Sequence, residues 1–358
     1  MIALGLHLEL SEQIIDHAGR QRRARIFYSI YNLEVLLAEV TGRPKSISLD
    51  DVTVSTSHLA NMVEDVPVIE GPGLEYLPNR IRRLWSEFLD VNKNSPQTTS
   101  SGSDSWRGYH QFIGKGVFPG YFSYRTRLCM ISHRISSTLY LGVHRLSWSD
   151  VQRETDRFEL EMRKWHESLP PELDIHNANP TDYDPQHKTE IAMYYHSVRM
   201  ILYRPFVDDI YITDQSDSSR SFNYYAGRSC VFAAIDLLAL LPNNLETDQA
   251  YHQVAWWSLL HYLCQAAAML TLELSLNVPH FGRADTRIVI RYLEKSILYL
   301  RYLAEGSLSA YKAWRIFQRL STDLNSRCGV DDIIIPEDIR PPYGWSDEDE
   351  LWLAKVGV

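Results

Sequence analysis

The chain has 358 residues, of which 45% are hydrophobic, and this length is sufficient to bury a large core. It has 36 lysines and arginines and 45 acidic residues, so its net charge is −9. A negative charge disfavours a dedicated nucleic-acid-binding protein, because the binding surface of such a protein must attract a polyanion. No apolar run approaches the length of a membrane span and no secretory leader is legible, so we expect a soluble, intracellular protein.

The cysteines give no sign of a metal centre or of a disulfide framework. There are four of them, Cys129, Cys230, Cys264 and Cys328, and no two are close together in the chain. Zinc sites usually take two ligands from one short spacing such as C-x-x-C, and no such spacing occurs here. We therefore predict no metal and no cofactor.

The first element in chain order is an apolar stripe in which large aliphatic side chains recur at steps of four and three residues. Such spacing places them on one face of a helix, and we expect that face to be buried. The stripe consists of Ile26, Ile30, Leu33, Leu37 and Val40. Gly42 suits the left-handed backbone position that ends a helix, and Pro44 cannot continue one. We expect Arg43 to anchor this corner through hydrogen bonds to nearby carbonyls or to Asp50 or Asp51.

The rest of the chain continues as one helical pattern after another. Ile81, Leu84, Trp85 and Phe88 form a second stripe, and residues 92–108 are rich in polar residues typical of a loop. Pro170 follows a helix pattern that contains Phe158 and Trp165. Further helices are predicted at 121–146, from Ile191 to the Arg204-Pro205 pair, and at 226–241, 249–276, 286–304 and 310–320. The pattern predicts an all-α fold, an irregular multi-helix array or bundle.

Four segments carry a resemblance to a known family. They are Arg22–Asp51 with its Gly42-Arg43-Pro44 corner, Lys164–Leu173, Ala192–Val207 with Arg204-Pro205, and Gly227–Leu241. In this order they resemble the fungal-specific transcription factor domain, the middle homology region of zinc-cluster transcription factors. The resemblance implies that Gly42, Arg43, Pro44, Arg204 and Pro205 are structural markers of the family's all-helical fold.

The resemblance also implies a domain organisation. Residues 1–330 correspond to the regulatory domain and residues 331–358 to a separate acidic and aromatic tail. The segment Leu4–Leu10 resembles one that family members carry well inside this domain, downstream of the zinc cluster. We therefore expect a chain that starts mid-domain and lacks the zinc cluster, as a natural short form, a shortened gene model or a protein with a different role.

Aromatic and polar residues concentrate on two predicted helices, where they could line a small-molecule pocket because such side chains combine apolar walls with polar tips. The alternative is ordinary core packing. The candidates are Tyr194, Tyr195, His196, Arg199, Trp256, Trp257, His261 and Tyr262.

The last 28 residues have a different character, with eight acids from position 331 onward against Arg340 and Lys355. Acidic residues interleaved with aromatic and leucine side chains are typical of activation segments that dock in a coactivator groove. The alternative is a tail that packs its two tryptophans onto the helical body. The candidate activation tail comprises Trp345, Asp347, Glu348, Asp349, Glu350, Leu351 and Trp352.

The resemblance implies a transcription-regulator-like protein, the effector-response domain of a zinc-cluster factor without its own DNA-binding module, which controls a metabolic gene set. We expect a protein partner (a full-length regulator or a coactivator) and a small-molecule effector. We expect neither direct DNA binding nor a membrane contact, and a nuclear or cytoplasmic location. The alternative is a repurposed helical scaffold, an enzyme or a small-molecule-binding protein of a specialised metabolite pathway. No catalytic motif supports an enzyme, and no catalytic residue is predicted.

Overall fold

The structure is a computed structural model that describes residues 4–59, 120–141, 146–174, 176, 185–207, 216–243, 254, 256–276, 280–327, 333–342 and 344–356. These residues form nine α-helices and no β-strand, which confirms the all-α prediction. The helices are α1 (His17–Thr41), α2 (Tyr121–Ser136), α3 (Trp148–Glu167), α4 (Pro185–Tyr203), α5 (Asp217–Ala239), α6 (Trp256–Ser275), α7 (Arg283–Ala304), α8 (Leu308–Arg327) and α9 (Asp347–Val356). The predicted stripe at Ile81–Phe88 and the loop at 92–108 lie outside the described residues.

The helices pack as an irregular array around one core. Helix α4 lies along α5, α5 along α6, and α6 along α7, while α8 packs against α6 and α7. Helix α2 joins α1 to α4, and α3 packs against α2, α4 and α5. None of the helices in the described part of the chain is long and apolar enough to cross a bilayer.

Both ends of α1 follow from local sequence. The Asp16 side chain accepts a hydrogen bond from the backbone N–H of Gly19, 2.9 Å away, which satisfies one of the free donors of the first turn. Gly42 has a φ of 65°, and backbone N–H groups at this end bond to the carbonyls of Ala38 and Glu39. The prediction that Gly42 ends this helix is confirmed.

The prediction of which face of α1 is buried was wrong. Ile26, Ile30, Leu33, Leu37 and Val40 are between 41% and 52% exposed. A second apolar row faces the core instead, formed by Ala24, Phe27, Tyr28, Tyr31, Val35, Leu36 and Ala38. The physical reason lies in the tyrosines, because Tyr28 donates to the Val54 carbonyl at 2.7 Å and Tyr31 bonds to His133 at 2.8 Å. Helical spacing alone cannot show which of two apolar rows finds such partners.

A buried ionic cluster holds the end of α1 against α2. The Glu39 carboxylate accepts a hydrogen bond from Ser132 Oγ at 2.5 Å, and its Oε1 lies 3.7 Å from Lys45 Nζ. The side chains of Glu39 and Lys45 are each only 5% exposed. Burial raises the pKa of Glu39 and lowers that of Lys45, although each is partly offset by the other's charge. The corner after α1 is thus tied to the interior by charge as well as by apolar contact.

The cluster continues between α2 and α4. Arg125 Nε lies 3.5 Å from Glu190 Oε1, and Tyr121 donates to the other oxygen of Glu190 at 2.8 Å. The Arg125 guanidinium also lies 4.8 Å from the centre of the Tyr194 ring. Burial raises the pKa of both Tyr121 and Tyr194, so their hydroxyls stay protonated. Helices α1, α2 and α4 therefore share one polar interior.

Close packing of α5 requires a glycine at position 227. A Cβ there would lie 2.3 Å from His280 Nε2 and 2.8 Å from the carbonyl oxygen of Phe206. The His280 ring cannot easily move away, because its Nδ1 is 2.8 Å from Glu273 Oε2 and the adjacent Phe281 N–H donates to Glu273 Oε1 at 3.1 Å.

Replacing Gly227 with alanine is predicted to lower the free energy of unfolding by about 1–3 kcal/mol, the usual cost of overpacking. Urea denaturation of the purified chain measures the difference. Gly306→Ala is the matched control, since no atom lies within 4 Å of the Cβ it would add. Equal stabilities of the two variants would contradict this packing.

A buried histidine beside Tyr31 makes the fold sensitive to acid. Burial and, to a lesser degree, the charges of Lys45 and Arg134 lower the pKa of His133 to about 4, while Glu34 opposes the shift. The folded state therefore favours the neutral imidazole. The folded state is therefore most stable, with respect to this group, above the ordinary histidine pKa near 6.5. Between pH 6.5 and pH 4 the unfolded state binds a proton at His133 that the folded state does not, so the free energy of unfolding falls by about 1.4 kcal/mol per pH unit.

His133→Gln is therefore predicted to reduce the loss of stability between pH 6.5 and pH 5 by about 2 kcal/mol. Urea denaturation at the two pH values measures this difference. His17→Gln, a change of one histidine at an exposed position, is the matched control for the substitution itself. An unaltered pH dependence in His133→Gln would show that this imidazole does not titrate as described.

Candidate functional site

A polar cleft lies where α3, α4 and α5 meet. It has a volume of ≈ 300 Å³. Helices α3 and α4 supply most of its lining. Helix α5 contributes one acidic residue, and the segment after α3 contributes one histidine. The lining residues are Glu159, Met162, Arg163, His166, His176, Tyr195, His196, Arg199, Leu202, Tyr203 and Asp236.

Three polar groups converge in this cleft without forming hydrogen bonds to one another. His196 is 5% exposed, and its Nδ1 has no hydrogen-bond partner among the described residues. That nitrogen lies 3.9 Å from Asp236 Oδ2, and Arg199 Nη1 lies 3.7 Å from the same oxygen. A buried polar nitrogen without a partner is costly, so it marks a place where a further hydrogen-bonding group is favoured.

Aromatic rings form part of the lining of the cleft. Tyr195 stacks on Trp165 with ring centres 5.6 Å apart, and its ring lies 5.3 Å from that of His166. His176 meets His166 edge-on at 5.5 Å. The Nε2 atom of His166 is also buried, and no hydrogen-bond partner for it lies in the part of the chain that the structure describes. The cleft thus combines flat apolar surfaces with unsatisfied imidazole nitrogens, as small-molecule sites commonly do.

The charges in the cleft nearly balance. Burial, followed by the charge of Arg199, lowers the pKa of His196 to about 3, and burial also lowers the pKa of His166. Both imidazoles are therefore neutral at pH 7 and can donate or accept a hydrogen bond. Burial raises the pKa of Asp236, opposed by Arg199. Two guanidinium groups, Arg163 and Arg199, face two carboxyl groups.

The structure separates the residues that the sequence grouped as one pocket. Tyr195, His196 and Arg199 line the cleft, but Tyr194 and Tyr262 have buried hydroxyls near Arg125 in the ionic cluster. Tyr194 and Tyr262 are therefore not among the residues that line this cleft, and a ligand-binding role for them stays a prediction.

The remaining predicted members lie on α6, away from the cleft. His261 is half-buried with its ring 5.6 Å from that of Tyr262, and the side chains of Trp256 and Trp257 lie outside the described part. Helical geometry explains the separation of Tyr194 from Tyr195, since consecutive residues on α4 point to different sides.

Sequence reasoning missed the cleft residues contributed by other elements. His166 follows Trp165 directly, His176 comes from the segment after α3, and Asp236 lies on α5. The His166–Tyr195 contact joins residues 29 positions apart in the chain, and His196 and Asp236 are 40 apart. Spacing within one helix holds no signal for such contacts. No group of three or more histidine, cysteine or acidic side chains in the described residues is arranged to hold a metal ion.

The family markers lie at two corners of the fold. Arg204 and Pro205 border a second cleft of ≈ 320 Å³ with Leu139, Tyr140, Leu146, Trp148 and Val151. Gly42 and Pro44 are exposed at the end of α1. Arg43 is exposed as well, and the described residues record no ion pair between it and Asp50 or Asp51. An ion pair that the structure does show at this corner joins Lys45 to Glu39, so anchoring by Arg43 stays a prediction.

The C-terminal segment packs on α8. The Trp345 ring lies 4.8 Å from that of Tyr311, Lys312 forms an ion pair with Asp349, and Arg315 Nη2 lies 3.6 Å from Glu350 Oε1. Glu348 and Leu351 are exposed, whereas the side chains of Asp347 and Trp352 lie outside the description. This arrangement corresponds to the alternative in which the tail packs onto the body. Docking in a coactivator groove remains a hypothesis.

Comparison with known proteins gives a consistent set of relatives. Residues 2–169 match the model of the fungal specific transcription factor domain. The transcription regulator galc of Aspergillus niger is 23% identical over 94% of this chain and 44% of its own length. Activator of stress genes 1 of Saccharomyces cerevisiae is 24% identical over 86% of this chain and 28% of its own length. A Candida albicans protein named Activator of stress genes protein 1 is 22% identical over 90% of this chain and 32% of its own length.

The chain thus spans less than half the length of these curated relatives. No solved structure gives a significant match. Each relative is named as a transcription regulator or activator, so the enzyme alternative gains no support. Residues 2–169 are thus similar to the fungal specific transcription factor domain, and the relatives that match most of this chain are named as transcription regulators or activators.

Proposed function

We propose that this chain is an effector-response module of fungal transcription regulation, which binds a small polar molecule in the cleft between α3, α4 and α5 and controls a metabolic gene set. The observation that carries the proposal is the unpartnered Nδ1 of buried His196, which faces the same space as Arg199 and Asp236. A regulator whose cleft presents unsatisfied groups can gain stability when a ligand satisfies them.

The cleft favours a ligand of particular chemistry. Because two guanidinium and two carboxyl groups balance, a ligand with both donors and acceptors fits better than one with a large net charge. Arg199 would donate to the ligand, Asp236 would accept from it, and the neutral imidazole of His196 could do either. The Tyr195 ring offers a flat apolar surface beside these groups.

The chain would act through another protein and not through its own contact with DNA. Its net charge of −9 opposes approach to a polyanion. We infer that the partner is a DNA-bound regulator or a coactivator, and that the complex acts in the nucleus.

The test is complementation of a deletion strain with the wild-type gene, with Arg199→Met or with Arg153→Met. We expect deletion to change a defined transcript set and Arg199→Met to reproduce that change, because the cleft would lose its main donor. Arg153→Met is the matched control, since Arg153 lies on the exposed side of α3, where its side chain is 69% exposed. RNA sequencing measures the outcome, and melting temperatures of the purified variants confirm that both fold.

Two results would contradict different parts of the proposal. Unchanged transcripts in the deletion strain would exclude a role in transcription. Full complementation by Arg199→Met, together with an altered transcript set in the deletion strain, would retain the regulator and remove the cleft from its mechanism.

A further inference from the structure

The outward row of α1 is an unusual surface for a folded chain. Its five members, Ile26, Ile30, Leu33, Leu37 and Val40, are all large aliphatic residues and each is at least 41% exposed. None belongs to the hydrophobic core of the described residues or to the half-buried layer around it. Single exposed hydrophobic residues need no explanation, but a continuous row marks an interaction site.

The spacing of the row specifies the shape of its occupant. Steps of four, three, four and three residues correspond to the a and d positions of a heptad repeat, the narrow seam that packs against another α-helix. The row covers 14 residue steps, or about 21 Å at 1.5 Å per residue, which matches a helix of about four turns. A membrane surface would favour a broader apolar face with lysine and arginine along it.

The row is held in place before any partner arrives. The opposite face of α1 lies in the core through Phe27, Tyr28 and Tyr31, and the helix end is fixed by Glu39 and Lys45. A rigid surface loses little conformational entropy on binding, so its apolar area converts efficiently into affinity.

The charges at the two ends of the row identify the chemistry of the partner. Arg22 is exposed one turn before Ile26, and Arg43 is exposed just after Val40. No described acidic residue of α1 is exposed, since Glu34 is partly buried and accepts from Ser46, and Glu39 is buried in the cluster. The surface is therefore apolar in the middle and positive at both ends, although the whole chain is acidic.

A second copy of the chain fits this surface poorly. In an antiparallel pair of α1 helices, Arg22 of one copy would lie near Arg43 of the other, and in a parallel pair each arginine would meet its equivalent. Either arrangement places like charges near each other, which disfavours the pairing.

We propose that the exposed row of α1 is a docking surface for an amphipathic helix of a protein partner, with aliphatic residues along its seam and carboxylates near both ends. The partner helix lays its seam on Ile30, Leu33 and Leu37, and its carboxylates reach Arg22 and Arg43. This inference rests on the proposed action through a protein partner, but it is independent of the cleft.

The probe is a fluorescent 21-residue peptide with leucine at heptad positions a and d and glutamate at e and g, titrated with the full chain and followed by anisotropy. We expect saturable binding that weakens at least tenfold in Ile30→Glu/Leu33→Glu. The matched control is Ile288→Glu/Leu298→Glu, which changes two comparably exposed residues of α7, 47% and 39% exposed, and should bind like the wild type. Arg22→Glu/Arg43→Glu should weaken the binding of the acidic peptide and strengthen the binding of a peptide with lysine at positions e and g.

Several results would overturn the proposal. The first is no saturable binding of the acidic peptide, and the second is equal binding of the acidic and lysine peptides. The third is equal affinity of Ile30→Glu/Leu33→Glu and of the control Ile288→Glu/Leu298→Glu for the acidic peptide. A dimer in light scattering that Leu33→Glu dissociates would assign the row to a second copy, and binding to phosphatidylserine vesicles that Leu33→Glu abolishes would assign it to a membrane. Because transcription is not measured, failure here leaves the effector proposal standing, and failure of the transcript experiment leaves this binding result intact.

Discussion

The ion pair between Glu39 and Lys45 decides how α1 joins the rest of the fold. Both side chains are almost completely buried, and Ser132 of α2 donates to the same carboxylate. Since an isolated charge in such a place is very unfavourable, each partner requires the other. The Gly42 turn makes the pairing feasible because its left-handed backbone reverses the chain and brings Lys45 back toward the helix it has just left.

This constraint also determines which surfaces of the chain are available for function. With Glu39, Tyr28 and Tyr31 turned inward, the aliphatic row of α1 must point outward. On the other side of the bundle, α4 divides its polar residues between two environments. Tyr194 lies in the interior near Arg125, whereas Tyr195, His196 and Arg199 reach the cleft. One helix therefore connects the buried cluster to the candidate effector site, and α2 connects that cluster to α1.

Much of the fold could be predicted from the sequence, because helix ends and helical periodicity are local properties. The end of α1 at Gly42 and the all-α class are examples. The orientation of α1 could not be predicted, since it depends on where Tyr31 and Glu39 find partners about 100 residues away along the chain. Of the residues that line the cleft, the sequence singled out only Tyr195, His196 and Arg199, which all lie on α4. His166, His176 and Asp236 come from other elements, so only the packing of α3 and α5 against α4 brings them to His196.

A double-mutant cycle on the buried ion pair tests the central claim most directly. The free energy of unfolding is measured for the wild type, Glu39→Leu, Lys45→Met and the double variant. The account predicts that Glu39→Leu costs about 3–5 kcal/mol, because Lys45 would be left buried without its partner. The double variant should recover part of this loss, with a coupling energy of about 1–3 kcal/mol. Single variants that each cost less than about 0.5 kcal/mol, a value typical of exposed positions, would show that α1 is held by other contacts.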